Sequence, residues 1–291
     1  MVWDWMIALY LFLAGMGAGA FVLSGIAGMA KTPCPKIKLI GFIDGPVCVA
    51  VGTLLLVVDA HAGLMNPLRF FYLITNLSSV MAWGVIILSL FIVVSAAAAI
   101  LLIAKKKTPR ALDIAGMALG VCVAAYTGVL LGDASAAFPL WHPLILPILF
   151  LVSAASTGSA LVLVIAHFKA REELGNISFT AKMAAILPAL EALLVVALLG
   201  TVSMTSGSAA PAAAASVGAL LIGGYAPLFW VGFVAIGLAF PIAQALGRIA
   251  KARKDAEQPA ALALAGEAGV LIGGFLLRYL IVMAALPVAA M

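Results

Sequence analysis

Eight long apolar runs, at about 5–30, 40–60, 79–104, 111–132, 142–168, 183–206, 220–247 and 262–286, alternate with short polar connectors along the chain. Each reaches the roughly 20 residues that an α-helix needs to cross about 30 Å of hydrocarbon. Lipid offers a backbone N–H or C=O no hydrogen-bond partner, so the runs are predicted to be membrane-spanning helices. The alternating segments of about ten residues that build a β-barrel are missing. The connectors are too short to hold a second domain. The pattern therefore predicts an all-α integral membrane protein, a single membrane domain over 1–291.

Composition agrees with the pattern. Hydrophobic residues make up 66% of the chain and charged residues 9%, with a mean hydropathy of +1.26. A soluble fold of this size has no interior large enough for so much apolar surface. The charges that exist are sorted by connector. Lys31, Lys36 and Lys38 follow the first run, and Lys105, Lys106, Lys107 and Arg110 the third. Lys169, Arg171 and Lys182 follow the fifth, and Arg248, Lys251, Arg253 and Lys254 the seventh. Only Arg69 stands in a connector on the opposite side, and Arg278 lies inside a run. By the positive-inside rule the odd connectors are cytoplasmic and both termini are outside. The net charge of +5 thus reflects topology rather than nucleic-acid binding. The opening residues carry no basic segment of the kind that begins a cleavable signal peptide.

Small residues recur at four-residue spacing in Gly15/Gly19, Gly116/Gly120 and Gly269/Gly273, which predicts close helix–helix approach in lipid. Trp3, Trp5, Trp83, Trp141 and Trp230 stand toward run ends, as an interfacial belt requires, with Trp83 and Trp230 far enough in to face a cavity. The segment 207–216 reads as a plain external connector.

An ionisable group at membrane depth is expensive unless paired or wet, so each is a functional candidate. Asp59, His61 and Arg69 gather at the external end of the second run. A carboxylate and an imidazole at a pocket mouth can accept two protons from a quinol; equally, they can cap a helix and pair at the surface. Tyr126 lies in the outer half of the fourth run and offers a hydroxyl to a quinone carbonyl or to a neighbouring helix. Asp44, Glu191 and Glu267 all fall in the cytoplasmic half. Glu267 and Arg278, eleven residues apart, share one helix face at about 20°. With Arg278 they outline a protonatable path, or a set of structural hydrogen bonds. Haem would need paired axial ligands at matching depth. His167 is cytoplasmic, whereas His61 and His142 are external and shallow, and Cys34, Cys48 and Cys122 are isolated. No haem or metal site is expected in this chain.

Four stretches together resemble one family. They are Leu9–Phe21, Asp59–Phe70 with Ser79–Gly84, Tyr126–Leu131 with Pro139–Trp141 and Leu146–Ser153, and Gly273–Arg278. In that order they are similar to the NrfD/PsrC family, the polysulfide-reductase-type membrane subunits of respiratory molybdoenzyme and multihaem complexes. The resemblance implies eight transmembrane helices arranged as two four-helix bundles, at about 5–132 and 142–286. It implies a quinone site in the first bundle near the external face, carried over to Asp59, His61, Arg69 and Tyr126, with Gly15 and Gly17 leaving room for the ring. Some members place a polar side chain in the first helix, where this chain has Ala, Gly and Met.

The function expected on these grounds is that of a quinone-reactive membrane anchor subunit. Electrons would pass between menaquinol and an external iron–sulfur subunit of the four-cluster ferredoxin-like kind, serving a molybdopterin catalytic subunit or, alternatively, a multihaem cytochrome. Asp59, His61 and Tyr126 would act on the quinol, and any proton translocation would run through Asp44, Glu191, Glu267 and Arg278. Two other readings compete: a proton-coupled transporter or channel, and a passive anchor. No inverted repeat with broken half-helices supports the transporter.

Overall fold

The structure, a computed structural model, describes residues 4–30, 32–59, 75–176, 178–252 and 260–288. Eight helices are long and apolar enough to cross a membrane, and no strand is present among the described residues. They are α1 (Trp5–Gly28), α2 (Pro35–Asp59), α3 (Val80–Ile103), α4 (Arg110–Gly132), α5 (Ile145–Lys169) and α6 (Ser178–Ser203). A short helix, α7 (Ala210–Leu221), precedes α8, which starts as a π-helix (Leu228–Ala239) and continues as an α-helix (Phe240–Ala252). The last crossing is α9 (Ala260–Met283).

Neighbour relations close two rings. α1 packs on α2, α2 on α3, α3 on α4, and α4 back on α1. In the second half α5 packs on α6, α6 on α8, α8 on α9, and α9 back on α5. Helix α1 joins the rings, lying against α5 and α9 as well as its own partners, and is buried along most of its length.

Glycine sets the approach distances. A Cβ on Gly17 would stand 2.5 Å from the carbonyl oxygen of Gly45 in α2, and one on Gly19 would overlap the Ala154 carbonyl of α5. Gly237 and Gly273 bring the backbones of α8 and α9 into mutual contact in the same way. Between helices already solvated by hydrocarbon, such contacts gain dispersion that lipid tails do not match.

Polar caps fix the helix ends. Asp4 accepts a hydrogen bond from the Met6 N–H (2.7 Å) at the start of α1. The His142 imidazole, through Nδ1, accepts from the N–H groups of Leu144 and Ile145 at the start of α5 (3.3 and 3.4 Å). The start of α2 is capped from far away: the Glu173 carboxylate accepts from the N–H groups of Lys36 (3.1 Å) and Ile37 (3.0 Å). A carboxylate there also meets the positive end of the helix dipole.

Three details depart from the sequence expectation. Helix α2 begins at Pro35 rather than near 40, because proline suits a first helical turn and Glu173 supplies the cap that local sequence lacks. The segment expected as a plain connector folds in part into α7, its alanine run favouring helix and Ser216 accepting from the Leu286 N–H (2.9 Å). The seventh crossing consequently starts near 228 rather than 220. Among the tryptophans, Trp3 lies outside the described residues. Trp5, Trp83 and Trp230 are half-exposed, as a belt requires, and Trp230 also lines a cavity of about 440 Å³ between α6, α7 and α8. Trp141 instead is 2% exposed, stacks on Phe138 at 4.1 Å and donates to the Ile281 carbonyl at 2.9 Å.

Valine at Gly19 should destabilise the detergent-solubilised protein by ~1–3 kcal/mol, because an overfilled contact must be pushed apart. Valine at Gly200, where an added Cβ meets nothing within 4 Å, should leave the melting temperature nearly unchanged. Equal shifts for the two would refute the close-approach account.

Candidate functional site: two buried tyrosines and a buried arginine

The first candidate region lies in the ring of α1–α4, at the face away from the basic connectors. Tyr10 of α1 is fully buried, and no partner for its hydroxyl is present among the described residues. Tyr126 of α4 is buried within electrostatic reach of Tyr10. Its ring end lies over Gly84 of α3, where any Cβ would overlap the Tyr126 Cζ and hydroxyl. Asp133, at the end of α4, is within electrostatic reach of Tyr126.

Asp59 is the last residue of α2, so the backbone delivers it to this same end of the ring. Its side chain, together with His61 and Arg69, lies outside the described residues. Gly15 and Gly17 are buried between helices. Gly17 faces the α2 backbone, and a Cβ on Gly15 would stand 2.8 Å from Nη2 of Arg278.

Arg278 forms the centre of the second region. It is 0% exposed, in α9, where α1, α5 and α9 meet. Its Nε donates to the Leu11 carbonyl of α1 (3.2 Å). Its Nη1 donates to the Ser153 hydroxyl of α5 (2.9 Å) and to the Gly274 carbonyl (2.8 Å). The guanidinium also lies over the Phe150 ring (5.1 Å) and near that of Phe12 (5.9 Å). Leu11 and Gly274 belong to regular helices, so the arginine takes second lone pairs from carbonyls already bonded in their ladders.

Glu191 of α6 supplies the opposite charge. It approaches the same Ser153 hydroxyl, and it is not in direct ion-pair contact with Arg278 among the described residues. Ser153 accepts from the guanidinium, and its hydroxyl proton remains available to a carboxylate on the other side. Among the described residues, Arg278 Nη2 and Glu191 Oε1 remain without hydrogen-bond partners.

The other expected path residues sit elsewhere. Glu267 is paired with Arg248 of α8 at 3.1 Å, near the basic face, and does not reach Arg278. Gln244, one turn from Arg248, is buried with both amide atoms unpartnered among the described residues. Asp44 of α2 is half-buried and within electrostatic reach of Lys169. The sequence pattern did not single out Tyr10, Ser153, Gln244 or Arg248. Serine and tyrosine in an apolar run carry no charge to flag them, and Arg248 read as one more basic residue at a helix end. Nor did it reveal a buried pair, Lys38–Asp113 (2.5 Å), that links α2 to α4 with Thr108 as a further partner of the lysine (2.7 Å). No group of three or more His, Cys, Asp or Glu side chains able to hold a metal ion exists among the described residues.

Eight apolar crossings enclosing a few buried polar groups define a multi-pass helical membrane protein. The family model for "Polysulphide reductase, NrfD" matches residues 1–290, and the chain belongs to that family. It is 34% identical over 267 residues to the C subunit of polysulfide reductase from Wolinella succinogenes, covering 83% of this chain and 82% of that protein. It is 29% identical, over an alignment of 320 positions, to protein NrfD of Escherichia coli, covering 98% and 95% respectively. A third relative, the NrfD homologue of Haemophilus influenzae, is 27% identical over 278 residues, with 83% and 82% coverage.

Removing one member of the buried charge set should be far worse than removing both. Arg278→Met alone is expected to cost roughly 3–5 kcal/mol of stability by leaving Glu191 uncompensated. Arg278→Met with Glu191→Leu should recover most of that loss. A double-mutant cycle on detergent unfolding checks this, and additive losses would show that the two charges do not interact.

Proposed function

We propose that this chain is the quinone-reactive membrane anchor subunit of a respiratory oxidoreductase, exchanging electrons between menaquinol and an iron–sulfur subunit docked on the external, periplasmic face. The observation that carries the reading is a pair of buried tyrosines in the first ring, Tyr10 and Tyr126, within electrostatic reach of one another, with Tyr126 seated over Gly84. Family membership and the name of the Wolinella relative, one subunit of a reductase, agree with a role inside a larger enzyme. The two rings would then be two functional bundles, the first holding the quinone and the second supporting it.

The residues present suit such a ligand. A quinone head group needs hydrogen bonds at two carbonyls inside an otherwise apolar pocket, and a buried tyrosine hydroxyl without a partner is a donor awaiting one. Tyr126 is held by its fit over Gly84, so its hydroxyl keeps one position. The ends of α2 and α4 and the start of α3 all reach the same face, which brings Asp59 and Asp133 to the rim and leaves His61 two residues beyond α2. In this reading Tyr126 orients the head group, Asp59 and His61 accept protons, and Arg69 holds Asp59 ionised. When bound, the quinol supplies two electrons and two protons. The electrons leave to a partner, for which the four-cluster ferredoxin-like subunit of a molybdopterin enzyme is the proposed recipient and a multihaem cytochrome the alternative.

A second reading has its own observation. Among the described residues, five of the eight unpartnered buried side-chain atoms belong to Glu191, Gln244, Arg248 and Arg278, all in the second ring. Unsatisfied polar atoms at membrane depth attract internal water, and a hydrated file from Glu267 toward Glu191 would serve proton uptake. Asp44 stands apart from that file, on α2. A proton-coupled transporter would use the same file without any redox partner, and a passive anchor would use neither region.

In the assembled complex, Tyr126→Phe and His61→Gln should each slow quinol-driven reduction of the partner's clusters by about 10²-fold or more, the scale of a lost proton acceptor or positioning bond. Reduction of the same clusters by a soluble dye should be unaffected. Unchanged quinol rates in both variants would remove the site assignment.

A further inference from the structure

A cleft of about 200 Å³ opens on the lipid side of the seam between the two rings. Its floor is α1 and α5, with Val22 and Ala155 among the residues exposed to it, and its walls are α4 at Val121 and α6 at Met183. Helices α4 and α6 pack on α5 from either side, and the gap between them is what leaves the cleft open. Among the described residues lining it, the only hydroxyl, Ser159, already donates to the Ser156 carbonyl at 2.7 Å. Nothing there is free to hold a carbonyl or a head group, so the cleft suits hydrocarbon alone.

The mouth is different. Ile26, on the cleft wall, is two residues from the end of α1 at the basic face, and Lys182 immediately precedes Met183 on α6. Three cations of that face have carboxylate partners: Lys36 pairs with Glu172, Lys38 with Asp113 and Arg248 with Glu267. Lys182 is exposed, and no carboxylate pairs with it among the described residues. An exposed lysine one residue from the lining of a hydrocarbon slot matches a molecule with an anionic head and an apolar tail. Basic sites between transmembrane helices are where anionic lipid head groups are held.

We propose that this seam is a binding site for an anionic phospholipid, one acyl chain lying between α4 and α6 over Ala155 and the phosphate resting on Lys182. The lipid would complete the packing between the rings, filling a space in which side chains otherwise lack contacts on one side.

The test uses the complex isolated from membranes and placed in phosphatidylcholine nanodiscs containing graded phosphatidylglycerol, with retained lipids counted by native mass spectrometry. Wild type should retain phosphatidylglycerol in preference to phosphatidylcholine. Lys182→Gln should reduce that preference about fivefold, the effect of one basic residue at an anionic surface, and Lys182→Arg should restore it. Ala155→Phe should displace the lipid whatever its head group. Should that variant fail to insert, the two Lys182 variants decide alone, since their side chain is exposed. Equal phosphatidylglycerol retention in wild type and Lys182→Gln would overturn the proposal. So would finding that the molecule displaced by Ala155→Phe is an isoprenoid quinone, whose tail fits the slot without using the lysine.

Discussion

A guanidinium buried between helices in a membrane has few places to go, and Arg278 organises the centre of this protein through the partners it takes. It reaches α1 at Leu11, α5 at Ser153 and its own helix at Gly274, so three crossings are tied at one depth. The neighbouring sequence is arranged around it. Gly15 leaves room for Nη2, and Phe12 and Phe150 present ring faces to the charge. A positive charge surrounded only by neutral acceptors would still be costly, and Glu191 across the Ser153 hydroxyl reduces that cost.

The same tie relates the two candidate regions to one another. Tyr10 precedes Leu11 on α1 and lies within electrostatic reach of Tyr126. Through Ser153 on one side and Leu11 on the other, Arg278 therefore links α5 to the helix that carries Tyr10.

The crossings were legible because their signal is redundant: about twenty apolar residues in a row, bounded by lysine on one face only. Helix ends were less so. The start of α2 depends on Glu173, which lies in a different connector, and no local pattern announces a cap from that distance. The alanines of α7 read as filler because a helix too short to cross the membrane needs no hydrophobic run of membrane length. Arg278 and Glu191 stood out as charges in oil, whereas Arg248 of α8, the partner of Glu267, did not. Face sharing along one helix says which residues point the same way, not which neighbour arrives first. Tyr126 was visible as a candidate, whereas its seat over Gly84 is a property of two helices brought together.

The remote cap on α2 also bears on how the protein is made. The amide groups of Lys36 and Ile37 are satisfied by a carboxylate 137 and 136 residues further along. At roughly 5–20 residues per second, a ribosome reaches that carboxylate about seven to twenty-seven seconds after passing the start of α2. Until then the second crossing has an unfinished end at the basic face, left to water and head groups. The start of α2 thus receives its cap only after the fifth crossing has been made.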